Sequence, residues 1–135
     1  MQEISINVWA VIVAALIRVV VGGLWFSPPA FQSPWLKIVG MDEATMRGGL
    51  PRAIAVDIVG SLVMAFVLVH AVVYAGASNV WQGAAVGFFN WLGFVAVIQI
   101  SETMHEHRPL QFFWITTAYN LIALVLMGAL LAVWR

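Results

Sequence analysis

Four long apolar blocks constrain this chain more than any other feature of its sequence. They cover about residues 6–26, 52–74, 80–100 and 111–134, each close to the ~20 residues with which an α-helix crosses a ~30 Å hydrocarbon layer. Charged residues make up only 9% of the 135 residues, whereas a soluble domain carries about 25%. The sequence therefore predicts an all-α polytopic membrane protein, with residues 1–135 forming a single membrane domain built as a four-transmembrane-helix bundle.

The connections between the blocks predict how the helices are joined. The first block ends at Ser27, before two prolines that cannot continue a helix. In the long connection that follows, Ser33 as N-cap, Pro34 at the first helical position and a stop at Gly40 predict a short interfacial helix. Only residues 75–79 separate the second and third blocks, which predicts an antiparallel helical hairpin.

Two further patterns concern the starts of the helices. Acids at the beginning and a base at the end predict a separate helical turn over residues 42–47, closed by two glycines. The triplet Asn-Val-Trp opens the first block at Asn7 and the third at Asn79. This echo leaves open a parallel repeat of two helical hairpins, in which Arg18 would correspond to Asn90.

Basic and aromatic residues predict how the bundle is oriented. Bases near the membrane concentrate in the connections after the first and third blocks, namely Lys37, Arg47, Arg52 and Arg108, whereas the opposite side carries Arg135. By the positive-inside rule, both termini face outward and the long connection faces the cytoplasm. Tryptophan and tyrosine residues fall at both predicted membrane boundaries, as aromatic belts do. We expect a multi-pass protein of a bacterial inner membrane.

The candidate binding residues are polar side chains inside the apolar blocks. Arg18 lies near the middle of the first helix, and exposing it to lipid would cost at least ~2.5–3.5 kcal/mol, so it must face other helices or water. Asp57 of the second helix lies in the same leaflet and is the expected ion-pair partner. Because side chains lean toward the N-terminus of their helix, the pair requires Arg18 to bend back or a bridging water. Asn90, Asn120 and Tyr119 fall at similar depth.

These residues allow two interpretations. In the first, the polar groups satisfy one another and hold the four helices in register. In the second, they bind a solute, an ion or a lipid headgroup, with Arg18 contacting the anionic group and Asp57 acting as counter-ion or proton carrier. Taken by themselves, these polar residues favour the first interpretation, and the second stays open.

A second polar cluster lies at the inner end of the third block. Glu102, His105 and Glu106 share a helix face if the helix continues that far, and His107 follows. A Glu-x-x-His spacing is half of a di-iron carboxylate site, and the other half is missing here. We therefore predict a solvated helix end and no metal or other cofactor, and keep these four residues as metal candidates only.

Small residues at helical spacing predict close helix crossings. Gly83 and Gly87 form a Gly-x-x-x-Gly pattern in the third helix, and Gly128 with Ala132 repeats the spacing in the fourth. The pattern fits packing inside the bundle and a homodimer face equally well.

Several functional classes are disfavoured. The chain has no cysteine and a net charge near zero, so thiol chemistry is excluded and no nucleic-acid partner is expected. The sequence contains no Ser-His-Asp set, phosphate loop or nucleotide fingerprint, which argues against an enzyme without excluding one.

The chain as a whole resembles a bacterial family of small four-helix membrane proteins, domain of unknown function family 1761. The resemblance rests on residues 22–28 (Gly-Gly-Leu-Trp-Phe-Ser-Pro), on residues 91–95 (Trp-Leu-Gly-Phe-Val), on residues 106–110 (Glu-His-Arg-Pro-Leu) and on residues 119–121 (Tyr-Asn-Leu). It implies the four-helix pattern and no assigned activity. The small multidrug exporters are a poor comparison, because they need a carboxylate inside the first helix, where this chain has Arg18.

Three functions therefore remain open. The preferred one is a binding or transport protein that uses the Arg18–Asp57 cluster, because a charged pair is a costly way to pack so small a bundle. The second is an accessory subunit of a larger membrane complex. The third is a membrane enzyme with its site at the cytoplasmic boundary. The expected partners are the lipid bilayer and either further copies of the chain or other membrane subunits.

Overall fold

A computed structural model of the chain describes residues 4–135, and four of its spans are long and apolar enough to cross a membrane, as the sequence predicts. Within that range the regular elements are all helical. They are α1 (Val8–Trp25), α2 (Gln32–Val39), α3 (Glu43–Tyr74), α4 (Val80–Trp91), a π-helical turn (Leu92–Ala96), α5 (Val97–His105) and α6 (Leu110–Val133). The segments α4, π turn and α5 are continuous and form the third span.

Helix α6 lies at the centre of the bundle. In the most apolar stretch of α6, 44% of the residues are buried inside the protein. The share is 22–28% in the corresponding stretches of the other three spans. Helices α1 and α3 pack on one side of α6 and α4 packs on the other, while α3 and α4 contact each other little. Small and medium apolar side chains fill the core, among them Ala14, Ala65, Val69, Ala123 and Met127. The architecture is thus three helices packed around a fourth, with a cleft between α3 and α4.

The two ends of the bundle differ in chemistry. We call the end that holds residues 26–52 and 106–109 the basic end, and the end that holds residues 75–79 and the C-terminus the terminal end. Four large aromatic side chains are exposed at the terminal end, Trp9, Tyr74, Trp81 and Trp134. Exposed amphipathic rings at one level of a bundle are the arrangement expected where a membrane meets water.

The recurring Asn-Val-Trp triplet has a local cause. The side-chain oxygen of Asn7 accepts hydrogen bonds from the backbone N–H groups of Trp9 and Ala10, and that of Asn79 accepts one from Gln82. Both asparagines therefore cap helix starts, where backbone donors lack partners within the helix. Capping explains the echo without a repeat of two hairpins.

The first connection differs from the prediction in two places. Ser33 is not the N-cap of α2: the helix begins one residue earlier, at Gln32, and Phe31 precedes it without a side-chain cap, although Gly40 ends it in the left-handed region (φ 70°) as predicted. The predicted separate turn over residues 42–47 is wrong, because it continues into α3 through Pro51. Proline removes one backbone donor, and the surrounding residues are exposed, so water can bond the carbonyl left free.

The contact between α4 and α6 is made by backbone. A Cβ added at Gly83 would lie 2.1 Å from the carbonyl oxygen of Gly128, and one added at Gly87 would lie 2.0 Å from that of Leu124. Both glycines are buried. Of the two uses that the Gly-x-x-x-Gly pattern allowed, the structure has the one inside the bundle.

The third span ends with an unusual residue conformation. Helix α5 continues to His105, five residues beyond the predicted end at Ile100, and His107 then adopts a left-handed φ of 53°. The N–H of His107 bonds to the Met104 carbonyl and the N–H of Arg108 to the Thr103 carbonyl. These bonds satisfy carbonyls at the helix end, which is the task that glycine usually performs there.

Candidate functional site

The guanidinium of Arg18 organises the polar interior of the bundle. Its Nη1 donates to Ser61 Oγ of α3 at 2.9 Å, its Nε donates to Asn120 Oδ1 of α6 at 3.2 Å, and its Nη2 donates to the Tyr119 hydroxyl at 3.2 Å. The planar fork of arginine suits such a set, because its donors point in several fixed directions. One side chain of α1 is thereby bonded to both helices that pack against α1.

The sequence around Arg18 makes room for this arrangement. Gly22, one turn after Arg18, lies against the ring of Tyr119, and a Cβ added there would be 3.7 Å from that ring. Phe26, a further turn on, packs edge-on against the same ring with 5.2 Å between the centroids. The Arg18 Cζ atom lies 5.7 Å from the Tyr119 ring centroid. Gly22 and Phe26 therefore contact the ring of Tyr119, and Arg18 bonds to its hydroxyl.

Asp57 is the exposed member of the group. Its side chain is 59% exposed, against 13% for Arg18, and the shortest separation between the charged groups is 4.0 Å, from Nη1 to Oδ1. The two side chains lean in opposite directions along antiparallel helices. Arg18 therefore bonds to Ser61, one turn further along α3, and meets Asp57 only at the limit of an ion pair.

The structure brings together four of the five binding residues expected from the sequence, and we name Arg18, Asp57, Ser61, Tyr119 and Asn120 the Arg18 cluster. The fifth, Asn90, has no hydrogen bond to this cluster and instead donates its amide to the Val86 carbonyl. Ser61 is the member that the sequence analysis did not select, although its spacing of four residues from Asp57 placed both on one face.

The cluster lies deep in the predicted membrane layer. Arg18 is about 10 Å along α1 from Trp25, and Tyr119 is about 13 Å along α6 from Leu110, both measured from the basic end. Arg18 and Asp57 are the only charged side chains at this depth among the residues that the structure describes. Their formal charges cancel, so the cluster is neutral overall.

An apolar cleft of about 520 Å³ opens between α3 and α4, with α6 as its floor. It falls within the roughly 300–1,000 Å³ of typical ligand sites. Its lining is Gly60, Val63, Met64, Val67 and Leu68 of α3, Asn90, Phe94 and Val95 of the third span, and Leu124 of α6. Asn90 is thus the one polar side chain among these lining residues. The π turn contributes Phe94 and Val95 to the same lining.

The cleft and the Arg18 cluster are neighbours. Gly60 of α3 lines the cleft. The cluster member Asp57 lies one turn before Gly60, and the cluster member Ser61 directly follows it. On α6, Asn120 precedes the cleft residue Leu124 by one turn on the same face. The cluster therefore borders the cleft on the side of the basic end.

The histidines and acids at the end of the third span do not converge on one point. Glu106 pairs with Arg108 at 2.6 Å, while His105 Nδ1 lies 2.9 Å from the Ser101 carbonyl. Within residues 4–135 no three His, Asp or Glu side chains are grouped so that they could hold a metal ion. Glu102 and His107 are likewise exposed.

The fold and the cluster define a class, that of small four-helix membrane proteins with a polar group buried at mid-depth. The model of the family described as "Protein of unknown function (DUF1761)" matches residues 9–132, and the chain belongs to this family. The matched range contains the Arg18 cluster and the whole cleft. No curated protein and no solved structure matches the chain.

Proposed function

We propose that this protein is a membrane-embedded binding protein, and that the Arg18 cluster is where it holds a small solute or lipid for binding or transport. The single observation that carries the proposal is the exposure of Asp57. A carboxylate that is 59% exposed within a membrane span, 4.0 Å from its nearest counter-charge, has room for a further partner. Ionisable groups at such depth mark sites for substrates, ions or protons.

The energetics of the cluster support a role beyond holding the helices together. Placing arginine at the centre of a span costs at least about 2.5–3.5 kcal/mol. The three hydrogen bonds of Arg18 offset about 2 kcal/mol, at the average of about 0.6 kcal/mol for such bonds between membrane helices. Packing by apolar residues would achieve the same bundle at lower cost, so a function is the better account of the charged pair.

The test is native mass spectrometry of the protein extracted from its own membranes in a mild detergent. We expect the wild type to retain a defined small molecule or lipid, and Asp57→Asn to lose it. Glu43→Gln is the matched control, because it neutralises an acid of the same helix that lies exposed at the basic end and pairs with Arg47. Circular dichroism of the three proteins verifies that all are folded.

Two results would contradict the proposal. One is equal retention of the molecule by the wild type and by Asp57→Asn. The other is a wild-type protein that carries no small molecule and is bound to unrelated membrane subunits, which would instead support an accessory subunit. The same spectra give the number of copies in the assembly, which we expect to exceed one.

We further propose that the basic end faces the cytoplasm of a bacterial cell, as the distribution of bases favours. The absence of cysteine from the sequence makes this directly testable. A single cysteine at Ser78, exposed at the terminal end, should react with an impermeant maleimide from outside the cell. A single cysteine at the exposed Ser101 should react only after the membrane is opened, and the reverse pattern would invert the topology.

A further inference from the structure

We infer that the ligand of this site is an uncharged amphiphile with a hydroxyl head, whose apolar chain lies in the cleft between α3 and α4 while the hydroxyl donates a hydrogen bond to Asp57. This inference rests on the proposed function and specifies its ligand class. It is carried by three observations: the position of the cleft next to the cluster, the neutrality of the cluster, and the chemistry of its one exposed group.

The shape of the cleft indicates the apolar part of the ligand. From Gly60 to Leu68 the cleft follows α3 for about 12 Å, and Asn90 is the one polar side chain in its lining. The side chains of Val63, Val67 and Phe94 are each more than half exposed along it. The cleft opens on the outer surface of the bundle, between two spans that are long and apolar enough to cross a membrane. A molecule dissolved in a bilayer could therefore enter it sideways without crossing a polar surface.

The end of the cleft toward the basic end lies next to Asp57. Gly60 forms that end of the lining and follows Asp57 by one turn of α3, and Met64, a further turn on, also lines the cleft. Gly60 has nothing within 4 Å of the position of a Cβ, so no side chain fills this end of the cleft. A chain lying in the cleft therefore places its head group beside the turn of α3 that contains Asp57.

Charge balance limits the head group. Arg18 and Asp57 cancel each other, and no other charged side chain among the described residues lies at their depth. A cationic or anionic head would leave one uncompensated charge there, which is costly in a membrane. An uncharged head adds no such charge.

The exposed carboxylate of Asp57 determines which hydrogen bond the head group of the ligand makes. An ionised carboxylate only accepts, and Asp57 is the cluster member with most of its side chain accessible. Arg18, in contrast, is 13% exposed and already donates to three oxygen atoms. The head must therefore be an uncharged donor that is small enough to stay at this depth, and a hydroxyl meets these requirements.

The experiment uses four photoreactive probes that share a dodecyl chain with a diazirine near its end and differ only in the head: alcohol, methyl ether, primary amine and carboxylic acid. Each is added to the full-length protein in phospholipid nanodiscs, irradiated, and located by peptide mass spectrometry. We expect the alcohol to label the cleft at Val63, Val67 and Phe94 about tenfold more than the ether does, the factor for ~1.4 kcal/mol from one hydrogen bond to a charged group.

Two variants locate the head and the chain separately. Asp57→Asn should reduce alcohol labelling to the level of the ether, because a charged acceptor is lost. Gly60→Leu should reduce labelling by all four probes, because the side chain fills the end of the cleft beside Asp57. Gly23→Leu is the matched control, since Gly23 of α1 is also exposed with open space around it. It should leave labelling unchanged.

Some outcomes overturn the inference. Equal labelling by alcohol and ether, preferential labelling by the amine or the acid, or insensitivity of the alcohol to both Asp57→Asn and Gly60→Leu would each do so. The proposed function fails separately: it requires that Asp57→Asn lose the molecule retained by the extracted wild type. If that loss occurs while the alcohol shows no preference, the site stands and the ligand class is wrong.

Discussion

Helix α6 contacts its neighbours in two different ways. Against α4 it packs backbone to backbone, through Gly83, Gly87 and Gly128, and no side chain of these residues takes part. Against α1 and α3 it is joined by the long side chain of Arg18, which reaches Asn120 and Tyr119 on α6 and Ser61 on α3. The glycine contact is made of backbone atoms, whereas the contact through Arg18 is made by polar side chains that can reorient.

This difference indicates where the bundle is fixed and where it can change. The glycine contact sets the distance between α4 and α6, and that distance cannot increase without loss of the whole contact. The Arg18 cluster lies on the other side of α6, where α3 is held mainly by α1 and α6, and the cleft opens between α3 and α4. The proposed ligand site lies at the part that can reorient.

The largest effect is expected at the glycine contact. Gly87→Ala places a Cβ against the backbone of Leu124, which cannot move aside, so we expect a loss of at least about 2 kcal/mol of unfolding free energy. Thermal unfolding in a mild detergent measures it. Gly93→Ala in the same span is the control, because a Cβ there meets nothing within 4 Å, and it should not destabilise the protein. Similar stability of the two variants would contradict a direct backbone contact between α4 and α6.

The Arg18 cluster should tolerate replacement where the glycine contact does not. Arg18→Met or Asp57→Leu alone should destabilise the protein by about 1–3 kcal/mol, because each leaves the other charge uncompensated at depth. The double variant should return to within about 1 kcal/mol of wild type, since neither charge is then present. If the double variant loses as much stability as the two single variants together, the cluster holds the bundle together. The expected difference between the Arg18 cluster and the glycine contact would then be wrong.

A smaller effect is expected at two tryptophans that donate to carbonyls of α6. The Trp91 indole N–H, which is buried, bonds to the Thr117 carbonyl at 3.0 Å, and that of the partly exposed Trp25 bonds to the Ile115 carbonyl at 2.8 Å. Trp91→Phe should cost about 0.5–1.5 kcal/mol, because the Thr117 carbonyl loses its second donor and keeps its bond within the helix. Trp25→Phe should cost less, since water or lipid headgroups can replace its bond. The reverse order in thermal unfolding would contradict this account.

The smallest effect concerns Asp42, which caps α3 outside the membrane. Hydrogen bonds from the Thr45 side chain and from its backbone N–H hold the pKa of Asp42 below its ordinary value of 3.8. A carboxyl group with a lower pKa in the folded protein stabilises it above pH 3.8, and this contribution is lost as the pH falls through the folded pKa. Asp42→Asn keeps a capping oxygen and should reduce the pH dependence of the unfolding free energy below pH 4. Thermal unfolding measured over a series of acidic pH values tests this. An unchanged acid profile would be evidence against the cap.

The sequence predicts the parts of this fold that depend on one segment at a time. Transfer of some 20 apolar residues into a membrane is additive along the chain, so the four spans follow from hydropathy alone. The helix caps at Asn7 and Asn79 involve residues no more than three positions apart, so their pattern is visible in the sequence. The same pattern also allowed a repeat of two helical hairpins. Arg18, Asp57, Asn120 and Tyr119 were found because ionisable and polar groups are expensive at this depth.

Only the tertiary structure decided which polar groups meet and what the glycines contact. Both depend on the rotation of each helix about its axis, which is set by packing against neighbours that are far away in sequence. Asn90 has the right depth and the wrong rotation, so it lines the cleft instead of joining Arg18. Serine is common in membrane helices, so Ser61 did not stand out in the sequence. It becomes a hydrogen-bond partner because the guanidinium of Arg18 lies closer to Ser61 than to Asp57. Depth is thus encoded locally, whereas direction is determined by the assembled bundle.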